Sequence, residues 1–381
     1  MELTEVGPQP QFRRPFVPDF AVVIGRRLRA WKALGPRLGL YSPLSTLELP
    51  DNTPERAAVP AVNFHTHLGR WLSPRGGWVE PDVERLLSMM DACNVSSLVN
   101  LDGRWGRELE ENLQRYDQAH PGRFYSFCHV NWQLLELVDG PERLVKSLEA
   151  SAAAGAKGLK VWKDLGTRVT VKGRRLLPDD PVLAPLWEAA GALKLPVLIH
   201  IADPVAFFLP VDRHNERLEE LLRHPRGSRQ GEGVEEHRRL TDALEQMVSA
   251  HPRTKIVAAH GFYPENLARV KTMFDSCENF HIDVAWAHLQ LGRQPRAAAE
   301  LVSAYPERVL FGSDVFPLRA AILRTYFRFL ETNDESFPYT DEDVPGSGRW
   351  PIHGLGLPMP VLQCVYRDNA IRLLGPASSS S

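Results

Sequence analysis

Cysteine, glycine-rich loops, long apolar runs and net charge are all scarce in this chain, and each scarcity closes off a class of protein. Only four cysteines occur in 381 residues (Cys93, Cys128, Cys277 and Cys364), far apart and with no C-x-x-C pair. That usage does not suit a disulfide scaffold and fits a reducing, cytoplasmic compartment. No G-x-G-x-x-G links an apolar run to a helical pattern and no G-x-x-x-x-G-K-[ST] occurs, which removes the dinucleotide-binding and P-loop readings. There is no G-x-S-x-G either, so a serine nucleophile on a sharp strand-to-helix turn is not supported. No apolar run approaches the ~20 residues of a membrane span. The best early candidate, Phe20 to Gly25, is too short, and the opening residues lack the three-part pattern of a signal peptide. Lys and Arg (45) nearly balance Asp and Glu (47), for a net charge of −2. The electrostatic footprint of a nucleic-acid binder is therefore missing.

What the chain does have is apolar material, 43% of residues against 24% charged, enough for a large core. From residue 60 a short run rich in Val, Ile, Leu or Phe alternates with a longer helical pattern. The apolar runs are 62–67, 97–101, 124–130, 158–162, 197–201, 255–260, 280–284 and 309–311. Between them lie amphipathic stretches such as 82–92, 141–153, 183–193, 236–250 and 265–274; in the fourth, Leu240, Leu244 and Met247 recur at helical intervals. Strands alternating with helices imply right-handed βαβ units and a parallel sheet. Eight of them point to an α/β fold of the closed (β/α)8 TIM-barrel type.

Three segments fall outside the alternation. Residues 1–60 are expected to be an N-terminal extension packing on the barrel of 61–381; Arg13 to Arg37 carries seven Lys/Arg against one Asp and reads as a solvated arm. The connection 203–234 after the fifth strand contains Phe207 and Phe208 and is long enough for a lid, or for a plain surface insertion. Residues 331–357, with six acids between Glu331 and Asp343, read as an irregular excursion before a C-terminal helix at 359–374.

The chemistry concentrates where the apolar runs end. Asn63-Phe64-His65-Thr66-His67 closes the first, and residues two apart on a strand share a face. His65 and His67 should therefore project together near the C-terminal rim, as half of a divalent-metal site. His200 ends the fifth run, His260 the sixth, and Gly312-Ser313-Asp314 the eighth. A single strand-end histidine is usually structural. Four histidines and an aspartate at four strand ends of one barrel face are too costly to bury unpaired, and they suit zinc or a similar ion.

His65-x-His67, His200, His260 and Gly312-Ser313-Asp314, in this order, resemble the metal-dependent amidohydrolase superfamily. The nearest section is the amidohydrolase-related group that includes aminocarboxymuconate semialdehyde decarboxylase. Asp368-Asn369-Ala370-Ile371-Arg372-Leu373-Leu374 is similar to that group's closing helix, and the likeness of layout spans residues 60–375. The resemblance implies that His65, His67, His200 and Asp314 hold one divalent metal, most simply Zn²⁺, while His260 contacts the substrate or the reacting water. Asn63 stands where many members have an acid, which would loosen support for the histidine pair. Lys160 lies near the place of the carboxylated lysine of two-metal members, so it reads either as a bridge to a second ion or as an ordinary substrate-binding ammonium.

The implied function is hydrolysis of a C–N or C–O bond of a small molecule by a metal-activated water, with Asp314 moving the proton and His260 polarising the substrate. The same set could instead protonate carbon and release CO₂ from an unsaturated or aromatic acid. Arg70 and Arg104 are positioned to clamp a carboxylate, and Trp105, Trp162, Trp286, Phe207 and Phe208 to line a planar pocket, with plain packing the alternative for each. His129 and His288 read as structural. A small-molecule substrate is the expected partner, with no nucleic acid and no membrane; a homo-oligomer stays open.

Overall fold

The computed structural model describes residues 45–73, 76–342 and 345–375. The chain divides into a unit of Met1–Glu48 and a unit of Leu49–Ser381, and the second carries everything below. The basic stretch Arg13 to Arg37 lies outside the described residues. Among those residues no helix is long and apolar enough to cross a membrane.

Among the described residues eight parallel strands run in chain order: β1 (Ala61–Thr66), β2 (Val95–Asn100), β3 (Phe124–Ser126), β4 (Leu159–Val161), β5 (Val197–Ile199), β6 (Ile256–Ala258), β7 (Phe280–Asp283) and β8 (Val309–Leu310). Each lies within an apolar run identified above, extended by at most two residues. Regular pairing joins β1–β2–β3 and β4–β5–β6–β7–β8. Backbone hydrogen bonds close both gaps. Cys128 N donates to Gly158 O (2.8 Å) and Lys160 N to Cys128 O (2.7 Å), joining β3 to β4; Phe64 N donates to Phe311 O (2.8 Å), joining β8 to β1. The chain is a TIM barrel.

Alternate strand residues separate two apolar layers. Val62, Phe64, Val99, Leu198, Val257 and Leu310 meet inside the barrel, plugged by Ala370 and Leu373. Their neighbours Leu98, Leu159, Val197, Ile199 and Ile256 face outward against the helices. Those helices start and stop on local signals. In α1 (Val83–Ala92) Asp82 caps the first turn by accepting from Arg85 N (3.0 Å), and Leu86 and Met90 are buried. In α2 (Gly140–Ala154) a proline stands at the N-terminus and Gly155, at φ 119°, ends the last turn. α3 (Gly233–Ala250) buries Leu240, Leu244 and Met247. The segment between β5 and α3 is no open loop; it folds into a 3-10 turn at Val205–Phe208 and a short helix at Leu218–Arg223.

α4 (Ala320–Glu331) follows β8, and it and the turn after it bind residues 51–58: Asn52 donates twice to Asp334 (2.8 and 2.5 Å), Ala58 N donates to Glu331 (3.1 Å), and Arg328 pairs with Asp51 (3.3 Å). The closing helix is interrupted by a π turn at Cys364–Asp368. Asn369 explains its place in the sequence, because its amide donates to Pro306 O and Val309 O (2.7 Å each) and fixes the entry to β8.

Candidate metal centre

Where β1 ends, its register against β2 slips between Asn63 and Thr66. A slip of this kind re-aims side chains, and here His65 and His67 both reach the C-terminal mouth although Phe64 fills the interior. Each ring is held by one carboxylate: His65 Nδ1 lies 2.7 Å from Asp283 Oδ2 and His67 Nδ1 lies 2.6 Å from Asp102 Oδ1. Holding Nδ1–H this way leaves Nε2 of each ring to point elsewhere. Both point at Asp314 Oδ1, at 3.6 Å from His65 and 3.1 Å from His67.

Asp314 follows β8 in a left-handed conformation (φ 52°), its amide donating to His65 O (2.8 Å). Gly312 permits the approach: a Cβ there would stand 2.8 Å from His65 Cβ. Asn63 adds support where its lack of charge suggested looseness. Its amide donates to Ser313 Oγ (2.7 Å) and its carbonyl accepts from Ser313 N (3.0 Å), tying β1 to the loop of Asp314. Ser313 thus lies in that loop, beyond the strand, which stops at Leu310.

His260, also left-handed (φ 59°), has its amide on Asp283 Oδ1 (2.9 Å) and its Nδ1 on Ala285 O (2.8 Å). Its Nε2 faces His200 Nδ1 at 3.2 Å and Asp314 Oδ2 at 3.8 Å. His200 Nε2 lies 3.2 Å from Ala202 O. Since that carbonyl and the one of Ala285 each require a ring N–H, the nitrogens of His200 and His260 that face each other are both lone pairs when the rings are neutral.

Ring nitrogens of His65, His67 and His260 thus converge on Asp314, and His200 joins them through His260, with too few protons among them. Asp314 Oδ1 is buried and takes no well-aligned hydrogen bond. Ligand atoms of His65, His67 and Asp314, and separately of His65, His260 and Asp283, lie within 4.8 Å of one another. A divalent cation fits such a set: it satisfies facing lone pairs that protons leave unpaired. Electrostatics agree. Burial drives His65 and His200 well below the ordinary histidine range, so their lone pairs are free. At His67 burial is outweighed by Asp102 and Asp314, which lift it to about 9 and place a proton where a metal would otherwise sit. Burial would raise the Asp314 carboxyl, but the histidines around it win and hold it well below the usual carboxylate range.

Lys160, on β4, is buried at 2% exposure. Burial lowers its ammonium to about 8, against the opposing pull of Asp314, Asp283 and Asp102. A cavity of about 370 Å³ opens from His200, His260 and Asp314, walled by Phe207, Phe262, Trp286 and Leu289 and by the ion pair Lys163–Asp203 (2.6 Å). Arg217 and Glu220, from the segment after β5, line it too.

Other sequence candidates lie elsewhere. Arg70 is not brought to the centre: its guanidinium pairs with Glu111 (2.7 Å) and lies over Trp78. Trp162 packs edge-on against Trp71 (5.0 Å), outside the cavity lining. Arg104 stacks between Trp71 and Trp105 and approaches His129 Nδ1 (3.3 Å). His129 donates Nε2–H to Leu101 O (2.6 Å) and His288 packs on Tyr326 (4.2 Å), both as structure. Phe208 is core; Phe207 alone of that pair reaches the cavity. Sequence reasoning missed Asp102 and Asp283, although each stands at a strand end like Asp314.

Comparison with known proteins agrees with this fold and adds a family. A search of curated proteins finds no match. Among solved structures the chain is similar to an uncharacterised TIM-barrel protein of Bordetella bronchiseptica (11% identity, 82% of this chain and 98% of that one, TM-score 0.53). It is similar also to a 2,6-dihydroxybenzoate decarboxylase from Rhizobium (15%, 83% and 98%, TM-score 0.53). A third is a dihydroxybenzoic acid decarboxylase from Polaromonas sp. JS666 with bound manganese and 2-nitroresorcinol (14%, 83% and 97%, TM-score 0.53). At these identities the likeness is one of fold. A family profile described as amidohydrolase matches residues 104–375, which takes in His200, His260 and Asp314 and leaves His65 and His67 to the geometry. The chain belongs to the amidohydrolase family and is an enzyme of it.

Proposed function

We propose that the protein is a metal-dependent hydrolase of a C–N or C–O bond in a small molecule, with one divalent ion held by His65, His67, His200 and Asp314. The observation that carries the reading is the pair of second carboxylates, Asp283 and Asp102, which turn both β1 histidines so that Nε2 faces Asp314. When bound, such an ion supplies Lewis acidity and makes water acidic enough to lose a proton near pH 7. Asp314 is the group that receives this proton: it is ionised at neutral pH and its Oδ2 faces the cavity side of His260. From Asp314 the proton passes to the departing nitrogen or oxygen. His260 keeps Nδ1–H on Ala285 O, so its Nε2 is an acceptor in the neutral ring and a donor to a substrate oxygen once protonated. Phe207, Phe262 and Trp286 give the cavity an apolar wall against which a substrate would pack.

A second reading is non-oxidative decarboxylation of an unsaturated or aromatic acid. The planar wall of Trp286 and Phe207 favours it, as do decarboxylases among the structures of like fold. In that reading Asp314, ionised at rest, would first take a proton from water and then pass it to the carbon as the bond to the departing carboxylate breaks and CO₂ leaves. The four unpaired cysteines favour a reducing, cytoplasmic setting for either reaction. Elemental analysis tests the metal: the parent should carry about one divalent ion per chain and a His65→Ala/His67→Ala variant should not. Equal, near-zero content in both after metal-replete expression would sink it. A panel of amides, esters, lactones and carboxylic acids, read for acid and for CO₂ release, separates the two reactions.

A further inference from the structure

Helix α4 places a fully buried tyrosine under the two loops that shape the mouth. Tyr326 Oη accepts from Trp286 N (2.7 Å) and donates to Ser313 O (3.1 Å). The first loop follows β7 and carries Trp286 on the cavity wall; the second follows β8 and carries Asp314, one peptide after Ser313. Trp286 (φ 53°) and Asp314 (φ 52°) are both left-handed, a conformation that aspartate tolerates but that a residue as large as tryptophan keeps only when the surroundings over-determine it. The loops are joined again on the cavity side, where Trp286 Nε1 donates to Asp314 O (2.9 Å). The ring of His288 packs on that of Tyr326 at 4.2 Å, and burial keeps the phenol neutral.

We propose that Tyr326 is a positioning residue whose single hydroxyl sets both the substrate-facing wall at Trp286 and the carboxylate of Asp314. The proposal rests on the reading of Asp314 as a metal ligand, and it reaches further because it couples the cavity wall to the carboxylate that would hold the ion through a residue that does not itself line the cavity. One oxygen spans the loops, so a shift of the Trp286 indole by a bound ring is passed to Asp314 through its carbonyl and through Ser313.

Tyr326→Phe removes that oxygen and keeps the ring. Three readouts follow in protein labelled with 5-fluorotryptophan: the ¹⁹F resonance of Trp286, assigned with Trp286→Phe; hydrogen exchange of the Trp286 amide; and Mn²⁺ affinity. The variant should shift or broaden the resonance, speed the exchange, and weaken Mn²⁺ about tenfold, as loss of a supporting hydrogen bond at a metal site does. Leu323→Ala, in the same helix and equally buried, should lower the Tm and leave all three unchanged. An unmoved resonance with unchanged exchange would overturn the proposal. So would a moved resonance with unchanged Mn²⁺ affinity, because the hydroxyl would then serve one loop only. Should Tyr326→Phe not fold, the parent still decides: a Trp286 amide exchanging as fast as an exposed one refutes the bridge. The fluorine and exchange readouts need neither metal nor substrate, so a parent that binds no ion would defeat the metal reading and leave this one to its own result.

Discussion

Asp283→Asn isolates the contribution of a residue that would not itself be a ligand. Asp283 serves three groups from one buried position: His65 Nδ1 at 2.7 Å through Oδ2, and His260 N and Ala285 N at 2.9 and 3.1 Å through Oδ1. An asparagine can keep Oδ1 on the two backbone N–H groups, but its NH₂ then meets His65 Nδ1. Two donors face each other there unless His65 moves its proton to Nε2, and a protonated Nε2 cannot ligate. The flipped amide fares no better, since its NH₂ would meet two backbone donors. The cost is therefore that of a lost carboxylate–histidine support, ~10- to 100-fold in metal affinity, or about 1.4–2.7 kcal/mol. Competition against a chromophoric chelator measures it, with circular dichroism confirming that the barrel is intact. Affinity within twofold of the parent would refute the reasoning, for it would mean that His65 binds nothing through Nε2.

Asp314→Asn, assayed with metal resupplied, should lose about 10²-fold or more of turnover, since a carboxamide cannot take a proton; activity within a few-fold of the parent would rule out the proton-transfer role. Lys160→Ala should retain about one metal per chain by elemental analysis. A parent near two that falls on this substitution, and recovers with a short carboxylic acid, would show a carboxylated bridging lysine instead. Away from the site, burial lifts Asp117 to about 6 against its hydrogen bonds from Ser126. Between about pH 4 and 6 the folded state holds a proton that the unfolded chain has lost, so this group's contribution to stability declines as pH rises and levels off above 6. Asp117→Asn should flatten that part of the Tm–pH curve, and an unchanged slope would contradict it.

The barrel was legible because β/α alternation is written in every turn of the chain: each parallel strand is buried on both faces and shows as a continuous apolar run. The strand-end histidines were legible for the related reason that a polar residue closing such a run has no cheap structural explanation. The carboxylates behind them were not. Asp102 and Asp283 also close apolar runs, but an aspartate after a strand is an ordinary loop residue until a partner 35 or 218 positions away is known to face it. Arg70 shows the same limit in reverse, because its partner Glu111 lies 41 positions on. Asn63 was read by its missing charge, whereas its value is geometric, as a two-pronged amide gripping Ser313. The lid-length segment after β5 was recognised by length alone; the helix at Leu218–Arg223 is too short to leave a periodic signal.

Backbone strain is the property that the sequence hid most completely, and it follows the chemistry. Arg104, His260, Trp286 and Asp314 all have positive φ, and they follow β2, β6, β7 and β8 at the mouth of the barrel. A strand leaving a barrel carries its next side chains away from the axis; a left-handed residue at the exit reverses the chain and returns a side chain to the centre. Each such residue costs ~1–3 kcal/mol, and glycine would avoid the cost but bring no ligand. Asn94, Lys172, Lys194 and Ser336 are left-handed in turns away from the mouth, so positive φ is not confined to the site; what distinguishes the mouth is that His260 and Asp314 have to meet there. The buried amide of Asn63, the carboxylate of Asp283 and the hydroxyl of Tyr326 each bond to a strained residue or to its immediate neighbour. The rigidity of the mouth thus comes from neutral and acidic groups one layer behind the histidines, and that layer is where substitutions should alter the site while leaving every residue that would hold the ion in place.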